Sequence, residues 1–406
     1  MFRVAMISPL PPEKSGEAPY AARLIKNLVS TGKVRVIAIG GKEANPVSPP
    51  NSMIETLSIW DGRSIMYPFQ LLGKIAEKQC SLAHVQFGPY GRVYGGFFGE
   101  IMLFLLILLR LTGVKTTMTL HSTWMPWQVV ERVKKYRIVG RFSILAGPIF
   151  RFFMKVLNWS TDTVQLSTVR ENSTLRRVFL REYGFNPKKV LEIPHPCVPP
   201  GGKPDQQHAA RLLGLADKKV ILMFGFIRPG KGFDTALRAI SAVREKHPDA
   251  FLLVAGRPQG REGDRHLEHL HDLVGELAIE ENIRFDTRFI PDDEVPVYFS
   301  ASTLLLIPYT ESVGASGPIH NYAGYGIPIL ASDVGFHNRE SIGGNLFLFS
   351  SGDPRALAEK LMGILSQPSK LEERSRMQIE YAKSENWTLA AKRTLLNYQK
   401  TFKMTR

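Results

Sequence analysis

Several polar side chains stand where an α/β chain concentrates its chemistry. The segment FGFIRPGKGFDTAL carries Arg228 and Lys231 between an apolar run and a helical pattern. Two cations at such a place can stabilise negative charge growing on a departing phosphate without a metal ion. A second segment, IPYTESVGASGPIHNYAGYGIPILASD, runs from Ile307 to Asp333 and contains Gly314-Ala315-Ser316-Gly317. Its small side chains let backbone N–H groups approach an anion. Glu311, ahead of that turn, can accept hydrogen bonds from hydroxyl groups, and Asn321, beyond it, can hydrogen-bond a ribose. In a third segment, PLPPEKSGEAPY, Ser15, Gly16 and Glu17 precede a helix. It lacks G-x-G-x-x-G, so a dinucleotide fingerprint is not supported. His121 closes the strand TTMTLHS, a position suited to a polar contact. Taken singly, a basic loop is more often solvated, a small-residue turn more often only a turn, and a lone histidine more often structural.

The elements around these residues alternate. After position 200 the apolar runs KVILMFG, AFLLVAG, IRFDTRF, TLLLIPY, PILASD and LFLF are separated by helical patterns. Strands apolar on both faces, interleaved with amphipathic helices, indicate a parallel sheet covered on both sides. The first half repeats the scheme through RVAMIS, VRVIAIG, AHVQF, TTMTLHS and TDTVQLS. In such sheets ligands bind beyond the carboxyl ends of the strands, where helix N-termini offer free N–H groups. The Pro/Gly-rich segment HPCVPPGGKPDQQ separates the halves. The expected organisation is an N-terminal Rossmann-like domain over 1–200, a second over 201–385, and a helix over 386–406.

Composition narrows the class. A chain of 406 residues with 44% hydrophobic and 22% charged residues is expected to form two soluble cores. Cys80 and Cys197 are too few for a disulfide framework or a zinc cluster. The N-terminus reads as a first strand and not as a secretory signal, and a cytoplasmic location is expected. The apolar run Ile101 to Leu109 is nine residues long, short of the roughly 20 that span a bilayer. Net charge is +15, and residues 1–200 hold 26 Lys and Arg against 12 Asp and Glu, whereas the remainder is nearly balanced. Cations alternate with Phe, Ile and Leu from Glu131 to Trp159. That pattern suits an anionic membrane surface or a phosphorylated acceptor, or else a solvated basic face. No zinc-finger spacing or RNP-like aromatic motif accompanies the charge, so nucleic acid is not expected as a partner.

Taken in order, the segments resemble glycosyltransferase family 4, retaining enzymes of the GT-B fold. SPLPPEKSGEAPYAARL resembles the opening glycine loop, MTLHS the histidine-ended strand, LEIPHP the strand before the linker, FGFIRPGKG the phosphate-binding Arg/Lys loop, and AGYGIPILASDVG the signature after the active-site helix. ENWTLAAKRTLLNY resembles a closing helix that crosses back to the first domain. The resemblance implies two doubly wound Rossmann-like domains facing across a cleft, a nucleotide-sugar donor in the second and an acceptor in the first. Arg228 and Lys231 would bind the donor diphosphate with Gly16, Ser316 and Gly317, while His121 would contact the transferred sugar. Glu311 and Asn321 fall near the family's two spaced glutamates. The chain departs from the pattern there: Asn321 occupies the second glutamate position, and Val313 stands eight residues earlier. Phe226 takes the place of the commonest family arginine, and Arg228 follows two residues later, similar to a subgroup with an R-P-x-K-G loop. The implied function is retaining, metal-independent transfer of a sugar to a glycan, lipid-linked or phosphorylated acceptor in polysaccharide biosynthesis, at the inner face of the membrane. No cofactor beyond the nucleotide sugar and no D-x-D motif is expected. The alternative is a catalytically silent nucleotide-sugar or glycan-binding protein on the same scaffold.

Overall fold

The computed structural model describes residues 1–13, 15–47, 53–62, 64–89, 91–121, 124–134, 143–167, 174–199, 201, 204–310, 317–334 and 344–404. They form two compact units. Met1–His195, together with the C-terminal helix Trp387–Lys403, makes the first, and the chain from Pro196 to Asn386 makes the second.

The first unit is built on seven strands: β1 (Phe2–Ile7), β2 (Val34–Gly41), β3 (Ile54–Trp60), β4 (Leu82–Phe87), β5 (Lys115–Leu120), β6 (Thr163–Leu166) and β7 (Val190–Glu192). They lie in the order β3-β2-β1-β4-β5-β6-β7, all pairs parallel. Val4 pairs with Val36 on one side and with Leu82 on the other, and β4 is buried along its whole length, as an inner parallel strand covered on both faces must be. β3 was absent from the sequence reading. It is an edge strand, IETLSIW, largely half-exposed, and so lacks the continuous apolar run that marks its neighbours.

The second unit has six strands: β8 (Lys219–Phe224), β9 (Ala250–Ala255), β10 (Ile283–Asp286), β11 (Leu304–Ile307), β12 (Ile329–Ser332) and β13 (Leu346–Phe349). Their order is β10-β9-β8-β11-β12-β13, again parallel throughout. Both sheets are Rossmann-like. In each, the strand order reverses beside the first strand, between β1 and β4 and between β8 and β11, and ligands bind at such a reversal.

Helix Trp387–Lys403 completes the first unit's core. Trp387, Ala391, Leu395 and Tyr398 are buried among Tyr20, Leu24, Leu28, Val34 and Val36. The apolar run singled out in the sequence lies within helix Glu100–Leu111, whose Met102, Leu105, Leu106 and Leu109 are buried. No described helix is long and apolar enough to cross a membrane. Tyr398 is fully buried and its hydroxyl meets His84 Nδ1, so Tyr398→Ala leaves a cavity and takes away the partner of that ring nitrogen. It should destabilise the first unit by about 3–5 kcal/mol. Chemical denaturation followed by tryptophan fluorescence checks this, and a loss under 1 kcal/mol contradicts it.

Candidate functional site

The reversal in the second unit brings two loops together. After β8 the chain passes through Ile227, Arg228, Pro229, Gly230 and Lys231 into helix Phe233–Val243, whose N-cap is Gly232. After β11 it passes through Pro308, Tyr309 and Thr310. The Thr310 amide donates to the Gly230 carbonyl at 3.1 Å. Gly232 has φ +73°, and a Cβ there would stand 1.8 Å from the Pro308 carbonyl oxygen. Only glycine allows this approach. The consequence is a tight seat for Lys231, whose Nζ lies 3.5 Å from the centre of the Tyr309 ring. Phe226, Lys231 and Tyr309 line one narrow hollow.

Lys231 is half-buried, and Arg228 beside it is exposed. Burial first, then the nearby Arg228 charge, lowers the Lys231 ammonium to about 7. The face of Tyr309 acts in the opposite sense by favouring the cation. Among the described residues Arg228 donates one long bond, Nη1 to the Pro229 carbonyl at 3.4 Å. The arrangement is a cationic pair at the N-terminus of a helix, where the backbone dipole adds to the attraction for an anion.

Two further loops at the strand ends contribute groups that were not anticipated. Arg257 follows β9, and its guanidinium lies 5.6 Å from the Phe226 ring and 5.9 Å from that of Phe289, which follows β10. Phe289 is 64% exposed and Phe226 39%. Exposed aromatic faces with an arginine among them suit the stacking of a planar ring. Their signal was invisible in the sequence, since each residue stands alone in a different loop.

Of the other expected residues, Glu311 and Ser316 lie outside the described residues. Gly317 opens helix Gly317–Tyr322, and Asn321 is half-buried on its next turn, with Nδ2 3.7 Å from where a Gly317 Cβ would stand. The preceding His320 is structural: it is buried, its Nδ1 3.3 Å from the Tyr381 hydroxyl and 3.8 Å from Cys197 Sγ.

Gly16 and His121 belong to the first unit. Gly16 is the N-cap of helix Glu17–Val29 at φ −69°, and a Cβ there would meet nothing within 4 Å, so the fold makes no demand for glycine. Ser15 Oγ accepts the Ala18 amide at 3.2 Å, and Glu17 is buried with its carboxyl raised by desolvation. One turn on, the Tyr20 ring packs edge-to-face on His121, with ring centres 4.5 Å apart. Phe87 O accepts the His121 amide at 2.9 Å, and Gln86 Oε1 lies 2.7 Å from Nε2. Burial pushes the imidazole down to about 3, so it is neutral at physiological pH. Among the described residues, no group of three or more His, Cys, Asp or Glu is arranged to hold a metal ion.

Two Rossmann-like parallel sheets, each with its polar loops at the reversal, define the GT-B fold class. The fold is similar to that of sucrose-phosphate synthase from Thermosynechococcus elongatus, with a TM-score of 0.73 at 18% identity over 100% of both chains. It is also similar to Anabaena HepE, solved in complex with UDP, with a TM-score of 0.71 at 14% identity over 98% of this chain and 100% of that one. Residues 206–385, within the second unit, match the family described as Glycosyl transferases group 1. A D-inositol 3-phosphate glycosyltransferase of Corynebacterium diphtheriae is 26% identical over 58% of this chain and 55% of its own length. The chain spans about half the length of the curated relatives it matches.

The lowered Lys231 pKa has a definite sign. Above about pH 7 the free amine is mostly neutral, and an anion seated on it favours the charged form, so binding must take up a proton. Titration calorimetry of a nucleoside diphosphate at pH 8, in buffers of different ionisation enthalpy, should show uptake approaching one proton. Affinity should weaken by up to about tenfold per pH unit above 7, and Lys231→Met should abolish both effects.

Proposed function

We propose that this protein is a retaining, metal-independent glycosyltransferase that moves a sugar from a nucleotide-diphosphate donor to an acceptor hydroxyl. The observation that carries the reading is the Arg228–Lys231 pair, with Lys231 seated on Tyr309, at the reversal of a domain that matches the group 1 glycosyltransferases. In the reaction, the bond from the sugar's anomeric carbon to the diphosphate breaks, a bond to the acceptor oxygen forms, and that hydroxyl's proton ends on a phosphate oxygen of the departing diphosphate. Negative charge then grows on the leaving phosphate, and the guanidinium and ammonium stabilise it in place of a metal ion. Gly16, Ser316 and Gly317 supply backbone N–H groups to the donor, Glu311 and Asn321 bind hydroxyls of sugar and ribose, and His121 contacts the transferred sugar. The Phe226–Arg257–Phe289 group offers a face to the nucleobase. UDP in the Anabaena structure supports a nucleoside diphosphate as the ligand class.

Arg228→Ala and Lys231→Ala should each lower the transfer rate by about 100- to 1000-fold, while EDTA leaves the wild-type rate unchanged. A thermal-shift panel of nucleotides and nucleotide sugars identifies the donor, since a ligand that binds only the folded chain raises its melting temperature. Tight nucleotide binding with no transfer to any acceptor would instead support a silent binding protein.

The acceptor is a glycan, a lipid-linked sugar or a phosphorylated sugar held by the basic first unit at the inner face of the membrane, in polysaccharide biosynthesis. Helix Ser143–Ser160 supports the membrane contact. Its Phe150, Phe153, Met154 and Leu157 are buried, yet Ile144, Leu145, Ile149 and Phe152 are exposed, with Arg151 and Lys155 exposed beside them. Arg110 stacks 4.7 Å from the half-exposed Trp159 ring. An apolar stripe edged with cations is the form of a helix that lies in a lipid interface. The full chain should sediment with vesicles containing phosphatidylglycerol and remain free of pure phosphatidylcholine. The pair Ile149→Glu and Phe152→Glu should weaken that binding about tenfold or more, and unchanged sedimentation would remove the membrane from the proposal.

A further inference from the structure

Behind His121 lies a set of buried polar side chains to which the proposed reaction gives no task. His84 and Gln86 share one face of β4, and Gln86 stands opposite Thr119, which shares a face of β5 with His121. His121 Nε2 is 2.7 Å from Gln86 Oε1. Gln86 Nε2 is 3.1 Å from His84 Nε2 and 3.3 Å from Met6 Sδ. His84 Nδ1 is 2.7 Å from the Tyr398 hydroxyl, on the helix Trp387–Lys403. The Tyr94 hydroxyl donates to the Gln86 carbonyl at 2.8 Å and so fixes that residue's backbone. His84, Gln86 and Tyr398 are fully buried.

The hydrogen-bond logic along this line admits few arrangements. A neutral imidazole has one donor and one acceptor nitrogen, and an amide oxygen only accepts. With Gln86 Oε1 facing it, His121 must carry its hydrogen on Nε2, which leaves Nδ1 as the acceptor. The amide keeps that orientation because two acceptors, the Met6 sulfur and a lone pair on His84 Nε2, hold its nitrogen end. His84 has that lone pair when its Nδ1–H donates to Tyr398. Thr119 Oγ1, 2.7 Å from His84 Nε2, then donates to the same lone pair and is the nearer partner of a three-centre bond shared with the Gln86 amide. Gln165 Oε1 lies 3.0 Å from Thr119 Oγ1 and its amide nitrogen is otherwise unpartnered among the described residues, so this arrangement requires the Gln165 amide turned over, with its nitrogen donating to Thr119. Burial holds both histidines neutral, pushing each down to about 3.

We propose that Gln86, held by His84 and Tyr398, is a positioning residue that keeps His121 in the Nε2–H tautomer, so that its Nδ1 accepts a hydroxyl of the transferred sugar. The last clause rests on the reading of His121 as a sugar contact. Behind metal-binding histidines, removing the group that sets the tautomer through the other nitrogen costs about 10- to 100-fold, and a loss of that order is expected here.

The test uses the full chain labelled with 15N-histidine, whose long-range proton–nitrogen spectra report each ring's tautomer without any substrate. His121→Gln and His84→Asn assign the signals. Wild type should show His121 as Nε2–H and His84 as Nδ1–H. Gln86→Met should populate the other His121 tautomer and lower the transfer rate about 10- to 100-fold, with the nucleotide-induced melting shift unchanged. Gln86→Glu, which still accepts from Nε2–H, should restore the tautomer and move the acid limb of the pH–rate profile upward. Tyr398→Phe should act in the same direction as Gln86→Met but more weakly, and it keeps the test open if that variant fails to fold. An Nδ1–H tautomer at His121 in wild type, or one indifferent to Gln86→Met and Tyr398→Phe, overturns the proposal. Full transfer by His121→Ala, together with a tautomer that still responds to Gln86, would remove the sugar contact and leave the positioning role intact.

Discussion

The structure depends on one topological constraint, the reversal of strand order beside the first strand of each parallel sheet. At that point the connections leave toward opposite faces, which opens a crevice at the carboxyl ends of the two central strands. Between β8 and β11 the opening admits two loops, and the approach of Gly232 to Pro308 brings them within one peptide of each other. The lysine that follows from this geometry is partly stripped of water and rests on an aromatic face. In the first unit the corresponding place, between β1 and β4, is lined by the loop to Gly16 and by the strand that carries His84 and Gln86.

The two units handle charge differently. In the second, positive charge is local: acidic and basic residues nearly balance overall, so Arg228, Lys231 and Arg257 stand out by position and not by number. In the first, cations are in wide excess, and exposed aromatic and aliphatic side chains gather on helices Pro126–Lys134 and Ser143–Ser160. A few desolvated cations give strength at one spot, whereas many solvated ones give long-range attraction that salt screens. The distribution suits a small anionic ligand on one unit and an extended anionic surface on the other.

Much of this was legible before the structure. The apolar runs KVILMFG, AFLLVAG and TLLLIPY became buried strands because both of their faces meet helices, and Arg228 and Lys231 stood out because cations interrupt such a pattern only at strand ends. β3 escaped because an edge strand need be apolar on neither face throughout. His84 and Gln86 escaped for the opposite reason: inside LAHVQF they look like defects in a core strand, and their partner Tyr398 is far along the chain. The contact of Lys231 with Tyr309 likewise joins loops that no local pattern relates. Glu311 and Ser316 remain expectations from the sequence.

The helix Trp387–Lys403 belongs to the unit that begins at residue 1, although the whole second unit separates them in the chain. On the ribosome, the segment to His195 therefore waits for its last core element while about 200 more residues are made, on the order of ten seconds or longer. During that interval the groove for Trp387, Leu395 and Tyr398 is uncovered, and His84 faces water. The second unit is contiguous and can close by itself. The first to emerge is thus the later to finish, and its nascent form is the state in which a chaperone or a protease would meet exposed apolar surface.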